Sequence, residues 1–313
     1  MIGNEEDLFR MAQDVDADEA YASAYYRLTA DITLTRDFTP IGKVNPFTGT
    51  LDGKGFVIRD LNINSPTEKK VGLFAQLKGT VKDLGIESGM IAGKQYVGAI
   101  AGYAMEATVY NCYNKAAVTG GDAGGLIGQM NSSALYNSYN LGSVGAGTET
   151  SVGGLAGYAG SYNNHDVPTV IENCYSAGIV KAGEVGGAAV GYNDDLYPTE
   201  MKSVFYDSTL TTIGIGNNIG ASSVQGKSTE EMQSFAVAAA LNLGKTGAAW
   251  NSWIRGDSGY PEFGTDDSTA ELQDFLNLHL NVSPAVDENG YLVMPESTDG
   301  LRWSYSDRTT SRL

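Results

Sequence analysis

The sequence has little of the chemistry on which most hydrolases and metal proteins depend. Of its 313 residues, two are histidines and two are cysteines. The HExxH signature of zinc peptidases is absent, and no cysteine–histidine cluster has zinc-ligand spacing. The phosphate-binding motif GxxxxGK[ST] and the nine-residue GGxGxDxUx calcium repeat are absent too. The sequence therefore predicts a non-catalytic chain with no cofactor.

Basic residues and long apolar runs are also scarce. The chain has 20 Lys and Arg against 37 Asp and Glu, a formal net charge of −17. This balance argues against binding to nucleic acid or to anionic membrane surfaces, both of which basic patches recognise. No apolar run is long enough for a transmembrane helix, so we expect no membrane insertion. No signal peptide follows Met1, which indicates either a piece of an exported protein or a cytosolic one.

Glycine is abundant, with 40 residues, and much of it lies in a recurring phrase. The phrase occurs as VGAIAGY (97–103), AGGLIGQ (123–129), VGGLAGY (152–158) and VGGAAVGY (185–192). A second phrase follows the first as YNCYN (110–114), YNSYN (136–140), ENCYS (172–176) and the degenerate KSVFYD (202–207). Self-similarity at such a period predicts stacked structural units.

The repeat has a measurable period. Val97 and Ala123 are 26 residues apart, whereas Val152 follows Ala123 by 29 and Val185 follows Val152 by 33. The excess lies in short insertions, of which SYNNHDVP is the longest. Insertions confined to loops are typical of a solenoid.

The composition of each unit indicates strands, because glycine, β-branched and aromatic residues alternate with turn residues. We therefore predict an all-β, right-handed parallel β-helix or β-solenoid of about five to seven coils, with small helical caps at both ends. Aligned repeats would stack like residues ~4.8 Å apart. The predicted columns are Asp83, Asn111, Asn137 and Asn173; Tyr113, Tyr139, Tyr175 and Phe205; and Val109, Leu135 and Ile171. The tyrosine column is interpreted as a structural ladder, with a sugar-stacking platform as the alternative.

These patterns divide the sequence into four segments. Residues 1–64 are predicted to form an N-terminal cap and the first coils, beginning with a helix capped by Asn4. Residues 65–224 form the repeats. Residues 225–263 are predicted to form a C-terminal cap containing one alanine-rich helix that starts at Ser228 or Thr229. Residues 264–313 are expected to be part of a following module.

The two cysteines occupy the same column, which sets a prediction about their chemistry. Ser138 holds that column in the coil between Cys112 and Cys174. Two coil spacings would place the two Cα atoms about 9.6 Å apart. A disulfide needs no more than ~7 Å, so both cysteines are predicted to be free thiols.

The phrases VGGLAGY and ENCYSAGIVKAGEVGG resemble the GLUG repeat of bacterial surface proteins. The match spans 97–192, and the flanking segments extend the resemblance over roughly 1–263. The family consists of large, adhesin-like proteins that are secreted or attached to the cell wall. The resemblance therefore implies export and an extracellular or cell-surface location. The stretch ENGYLVMPESTDGLRWSYSD resembles the start of a bacterial immunoglobulin-like module.

The insertion loops contain the candidate site residues. For binding these are Tyr158, Tyr162, His165, Asp166, Tyr192, Asp194, Asp195 and Tyr197, with Tyr103 as a further aromatic. For an enzyme, Asp166, Asp194, Asp195 and Glu200 are candidates because β-helix enzymes cleave polysaccharides with carboxylates. Calcium bound by these acids with Asn163 and Asn164 is an alternative, since Ca²⁺ takes oxygen ligands. A Ser-His-Asp set would need a nucleophile beside His165, which is more simply interpreted as a polar loop residue.

Two functions are therefore left open. The first is a non-catalytic extracellular protein, monomeric as an isolated chain, that binds a host glycan or surface protein or displays other modules. The second is a β-helix enzyme that acts on polysaccharides through the loop carboxylates. Fold alone does not choose between them.

Overall fold

The structure is a computed structural model that describes residues 1–146, 151–161, 164–181, 185–220, 223–264, 285–286 and 292–293. The chain divides into two units, Met1–Thr229 and Glu230–Leu313. Residues 267–280, whose sequence DSTAELQDFLNLHL predicts a helix containing His279, lie outside the described residues. The immunoglobulin-like resemblance does so too, apart from one pair of two-residue strands.

Short strands dominate the chain. The helices are α1 (Glu5–Ala17), α2 (Glu19–Ala22), α3 (Thr229–Met232) and α4 (Phe235–Leu243). The strands up to the first full repeat are β1 (Tyr25–Arg27), β2 (Ile32–Thr33), β3 (Thr50–Asp52), β4 (Val57–Arg59), β5 (Leu61–Val71), β6 (Phe74–Leu77), β7 (Thr80–Lys82), β8 (Gly85–Ile86) and β9 (Gly89–Gly98). None of the described helices is both long and apolar enough to cross a bilayer.

The repeats continue the series of strands. They are β10 (Ala101–Met105), β11 (Thr108–Tyr110), β12 (Tyr113–Asn114), β13 (Ala117–Gly124), β14 (Ile127–Asn131), β15 (Ala134–Tyr136), β16 (Tyr139–Asn140), β17 (Val144–Ala146), β18 (Ser151–Gly153), β19 (Ala156–Gly160), β20 (Val170–Ser176), β21 (Val180–Lys181), β22 (Val185–Gly187), β23 (Val190–Asn193), β24 (Glu200–Asp207) and β25 (Val224–Lys227). The last strands are β26 (Ser252–Arg255), β27 (Pro261–Gly264), β28 (Ala285–Val286) and β29 (Leu292–Val293).

The first unit is a parallel β-solenoid of about six turns, as predicted. Three sheets form its walls, with thirteen, five and seven strands. The five-stranded sheet has the order β23-β19-β14-β10-β6, so each coil adds one strand beside the strand of the previous coil. Every strand pair in these three sheets is parallel, which is the geometry that stacked coils impose.

The predicted columns are confirmed. Val109 pairs with Leu135, and Leu135 pairs with Ile171, and all three are fully buried. Tyr139 stacks between Tyr113 and Tyr175 with ring centroids 4.9 and 5.2 Å apart and nearly parallel planes. Tyr139 and Tyr175 are almost fully buried, so this column is a structural ladder inside the solenoid.

The coils start in the predicted register except for the last. Val71, Val97, Ala123 and Val152 are successive partners. Val185, however, pairs with Ser151, and Val152 pairs with Gly186, so that coil starts near Val185 as predicted but its register is shifted by one residue. The phrase there is one residue longer, and its second half sets the register, because Tyr158 pairs with Tyr192.

Two asparagine ladders run along the solenoid. Asn111 donates to Asp83, Asn137 to Asn111 and Asn173 to Asn137, as the predicted column requires. A second ladder was not predicted: Asn114 donates through Nδ2 to Asn140 Oδ1 at 2.9 Å. Buried amides that satisfy one another in this way avoid the cost of unpaired polar groups.

Glycine is required beside the second ladder. A Cβ on Gly125 would collide with the Asn140 side chain and with the carbonyl oxygen of Gly154. A Cβ on Gly154 would collide in the same way with the Ser176 side chain and the carbonyl oxygen of Ala188. The recurring glycine phrase therefore lets one coil's backbone lie directly against the next.

The N-terminal end has the predicted helix. The side chain of Asn4 accepts a hydrogen bond from the N–H of Asp7, and Leu8, Met11 and Val15 are buried. Asp52 and Gly53 form a coil corner, because β3 and β4 belong to different parallel ladders. At the other end of the unit, β25 extends the ladder through parallel pairing with β24.

In the second unit, the single helix predicted near 228–242 is wrong. The helical stretch is interrupted, with α3 ending at Met232 and α4 starting at Phe235 after an extended Ser234. The Ser234 hydroxyl donates to the Glu231 carbonyl at 2.6 Å, a local bond that competes with helix continuation. Downstream, β26 and β27 form an antiparallel hairpin in which Trp253 is fully buried.

Candidate ligand-binding site

Two insertion loops of the repeats follow consecutive strands of the five-stranded sheet. One loop leaves β19 and the other leaves β23, so they emerge at the same edge on neighbouring coils. Their side chains meet the aromatic residues of those strands. We call this group the loop cluster; it consists of Tyr158, His165, Tyr192, Asp194, Asp195 and Tyr197.

Two tyrosines form the base of the loop cluster. Tyr158 in β19 and Tyr192 in β23 are direct register partners. Their ring centroids lie 5.2 Å apart with planes inclined by 14°, a stacked pair on the outer side of the sheet. Both are partly exposed, so the rings combine a rigid position with access from solvent.

Asp194 ties the second loop to this base. Its Oδ2 accepts a hydrogen bond from the Tyr158 hydroxyl at 2.6 Å. Its Oδ1 accepts the backbone N–H groups of Leu196 and Tyr197 at 2.9 and 2.7 Å. Gly160 permits this approach, because a Cβ there would collide with the Asp194 side chain. Asp194 therefore closes the turn of its own loop and clamps the neighbouring coil.

The outer part of the cluster contains Asp195, His165 and Tyr197. The Tyr192 hydroxyl donates to Asp195 Oδ2 at 2.9 Å, and Asn217 Nδ2 donates to Asp195 Oδ1 at 3.2 Å. The imidazole of His165 stacks on the Tyr197 ring with centroids 3.7 Å apart. This contact joins the first loop to the second, so the two insertions form one surface.

The charge states follow from these bonds. Burial alone would raise the pKa of Asp194, but the hydrogen bonds from Tyr158, Tyr197 and Leu196 lower it below its usual value. Burial and the hydrogen bond to Asp194 raise the pKa of Tyr158, and the hydrogen bond to Asp195 raises that of Tyr192. At neutral pH the two phenols therefore donate and Asp194 is ionised. A general acid of a glycosidase needs the opposite shift, a raised carboxyl pKa.

The remaining predicted residues are placed as follows. Asp166 is exposed in the first loop, and its N–H donates to Asn164 Oδ1 at 3.3 Å. Glu200 starts β24, where it pairs with Val170 rather than entering the cluster. Tyr103 lies in the same column as Tyr158, with Gln129 between them. Tyr162 and Asn163 lie outside the described residues. Among the residues that are described, no three His, Cys, Asp or Glu side chains are grouped so that they could hold a metal ion.

Two residues of this surface were not predicted. Asn217 contacts Asp195 from a later coil, and Gln129 fills the column between the tyrosines. The 26-residue period would have identified Gln129, because it aligns with Tyr103. No signal in the sequence identifies Asn217, since its segment follows the repeats without a recognisable phrase.

The comparison with protein families decides the assignment of the repeats. The model of the GLUG motif matches residues 148–181. The chain therefore contains a segment that matches the GLUG motif. The matched segment runs through β18, β19, β20 and β21, and thus includes Tyr158 and the first insertion loop. The resemblance predicted from the glycine phrase is confirmed for this stretch.

Two further proteins are similar to this chain. Halomucin from Haloquadratum walsbyi (strain DSM 16790 / HBSQ001) is 32% identical over 133 residues, which cover 37% of this chain and 1% of halomucin. A solved structure of a candidate immunoglobulin A1 protease from Bacteroides ovatus superposes with a TM-score of 0.55 over 84% of this chain and 91% of its own. At 17% identity, that likeness shows a shared fold and nothing more.

Proposed function

We propose that this chain is part of an extracellular surface protein whose solenoid presents the loop cluster as a non-catalytic binding face for a glycan or a surface-protein ligand. Support for the location comes from the GLUG motif, the similarity to halomucin and the formal net charge of −17, which keeps an exposed scaffold soluble. As an isolated chain we expect a monomer that binds neither nucleic acid nor membranes and needs no cofactor; Ca²⁺ at the loop acids is the alternative to test.

One observation carries the binding proposal: insertions on two neighbouring coils converge on a stacked tyrosine pair. Partly exposed aromatic rings offer flat apolar faces at a low cost in conformational entropy, and adjacent carboxylates accept hydrogen bonds from hydroxyl groups. A sugar ring presents an apolar face that packs on aromatic rings and hydroxyl groups that donate to carboxylates. The Asp194 clamp holds the tyrosine positions fixed before a ligand arrives, which lowers the entropic cost of binding.

The lowered pKa of Asp194 argues against a general-acid role for this residue, because an ionised carboxylate cannot donate the proton that glycoside cleavage needs. The name of the Bacteroides ovatus neighbour raises proteolysis as another activity, but the likeness reaches only the fold. The test below therefore includes assays for glycoside cleavage and for proteolysis.

The test is a glycan array probed with the full 313-residue chain, with and without Ca²⁺. Tyr192→Ala and Tyr197→Ala should each weaken binding to the selected glycan about tenfold, the expected loss of one central aromatic contact. Tyr21→Ala is the control, since Tyr21 is 49% exposed on α2, outside the loop cluster. Release of reducing sugar or cleavage of casein that disappears in Asp195→Asn would contradict the proposal and favour an enzyme.

A further inference from the structure

A second surface on the first unit has the opposite chemistry to the loop cluster. Lys69, Lys70 and Lys94 lie with Tyr96 and Tyr103 at the corner where β5 and β9 lead into the five-stranded sheet. We call these five residues the lysine corner. Lys69 and Lys94 are exposed, while Lys70 and both tyrosines are partly buried. Three lysines so close together are unexpected in a chain with 37 acidic and 20 basic residues.

The lysines of this corner are not neutralised by the protein. Neither Lys69 nor Lys70 takes part in an ion pair among the described residues. Of the nearby carboxylates, Glu68 pairs with Lys43 at 2.7 Å. Asp122 accepts a hydrogen bond from the neutral Gln95 Nε2 at 2.8 Å, so one negative charge remains beside three lysines. The two ammonium groups are therefore available to an anion from solution.

The corner is held in a fixed geometry by its aromatic residues. Lys70 Nζ lies 5.0 Å from the centre of the Tyr103 ring and donates to Gln76 Oε1 at 2.8 Å. Lys69 Nζ lies 5.9 Å from the centre of the Tyr96 ring, and the two tyrosine rings are 6.3 Å apart. The cations are thus placed beside ring faces by cation–π attraction rather than extended freely into solvent.

The backbone at this corner is costly for the residues that occupy it. Lys70 and Tyr96 have φ of 63° and 58°, in the left-handed region. They share a column with Asp122, a residue type that tolerates this region better. Positive φ also occurs at other corners of the solenoid, for example at Lys54 and Glu106, so the backbone geometry belongs to the coils and the side chains are what distinguish this corner.

We propose that the lysine corner binds an anionic, carboxylate-bearing polysaccharide. Ammonium groups pair with carboxylates, and tyrosine faces pack against sugar rings. An exposed corner suits a chain that runs across the surface better than a small molecule, which needs a concave pocket. The remaining negative charge of the protein does not prevent this, because at physiological salt it is screened beyond about 8 Å. The lysine corner shares no residue with the loop cluster, and its Tyr103 lies two coils before Tyr158 in the same column.

The experiment measures binding of the full chain to immobilised polygalacturonate, with neutral dextran and sulfated heparin as comparison surfaces. Polygalacturonate and heparin, which both carry carboxylates, should bind, and dextran should not. The double variant K69Q/K70Q should lose at least tenfold in affinity. The matched control K181Q/K202Q removes two lysines of later coils and should change affinity less than twofold.

The outcomes separate this site from its alternatives. Thermal unfolding of K69Q/K70Q must match that of the original chain; if it does not, K69Q alone, at an exposed position, replaces it and should lose at least threefold. Y192A must leave polygalacturonate binding unchanged, since a loss there would assign binding to the loop cluster. Equal retention on dextran, or full binding by the lysine variants, would overturn the proposal. A dimer that K69Q/K70Q dissociates would assign the corner to a second copy of the chain and overturn it as well.

Discussion

Asn137 donates a hydrogen bond from Nδ2 to Oδ1 of Asn111 at 2.7 Å, although the two residues are 26 positions apart in the chain. Both are buried, and both have left-handed backbone, with φ of 43° and 53°. Asn173 continues the ladder by donating to Asn137 at 2.6 Å. Asparagine suits this column because it tolerates the left-handed region and carries both a donor and an acceptor.

Replacing the central member of this ladder should be strongly destabilising. Asn137→Ala removes the hydrogen bond that Asn173 donates and the one that Asn111 accepts, and it places alanine, which tolerates left-handed backbone less well than asparagine, at this position. We expect a loss of about 3 kcal/mol in the free energy of unfolding. Asn137→Gly removes the same bonds without the backbone strain, so it should lose about 1 kcal/mol less. Urea unfolding of both variants measures the difference, and equal losses would show that φ at this column carries no cost.

The ladder ends at Asn173, so its contribution can also be tested by adding a further asparagine. Asn173 Oδ1 is buried and has no hydrogen-bond partner, and its register neighbour on the next coil is Ser203, with φ of 51°. Ser203→Asn should extend the ladder and stabilise the solenoid by about 1 kcal/mol, the typical net value of one hydrogen bond. Ser203→Asp is the matched control, because an ionised carboxylate cannot donate to Asn173. Stabilisation by both variants, seen in thermal unfolding, would mean that the ladder is not the cause.

How far the sequence predicts this protein depends on the repeat. Where the 26-residue period holds, identical residues must stack, so the Asn111–Asn137 and Tyr113–Tyr139 contacts could be predicted without coordinates of any kind. The slip at Val185 could not, because its phrase has one extra residue and only packing decides which half stays aligned. The Tyr158–Asp194 hydrogen bond could not be predicted from the sequence either, since it depends on the turn that the second insertion adopts.

Asp52 gives the solenoid a specific sensitivity to acid. Its side chain is fully buried at the end of β3, where it accepts the Tyr25 hydroxyl at 2.6 Å and pairs with Lys54 and Lys82 at 3.1 and 3.2 Å. Burial alone would raise its pKa, but these partners lower the pKa from 3.8 to about 2. A carboxylate with a lowered folded pKa contributes stability above its unfolded pKa and loses it as the pH falls.

The original chain should therefore lose this contribution as the pH falls from about 4 to about 2. Asp52→Asn should be less stable at neutral pH and should lack this part of the acid loss. Asp166→Asn, at an exposed loop position, is the control and should keep the acid loss of the original chain. Unfolding temperatures across this pH range measure the effect, and parallel curves for the original chain and Asp52→Asn would refute it.

The two cysteines are free and buried, as the register predicted, and their burial determines their reactivity. Cys112 and Cys174 donate through sulfur to the carbonyls of Tyr110 and Glu172 at 3.3 and 3.2 Å. Burial raises the pKa of both thiols, so little of the reactive thiolate is present in the folded chain. A thiol reagent should detect two thiols per chain in denaturant under non-reducing conditions, and react far more slowly without denaturant.

Ser138 indicates what can replace these cysteines. It occupies the same column between them, and its hydroxyl donates to the Tyr136 carbonyl at 2.6 Å in the way that each thiol donates to its own neighbour. Its oxygen also accepts the N–H of Cys112 at 3.1 Å. Serine is thus already satisfied by this environment, and Cys112→Ser should cost less than about 1 kcal/mol, whereas Cys112→Val, which has no donor and a branched Cβ, should cost about 2 kcal/mol. Thermal unfolding of the two variants compares them directly, and a serine variant less stable than the valine variant would show that the column selects for apolar contact rather than for a hydrogen-bond donor.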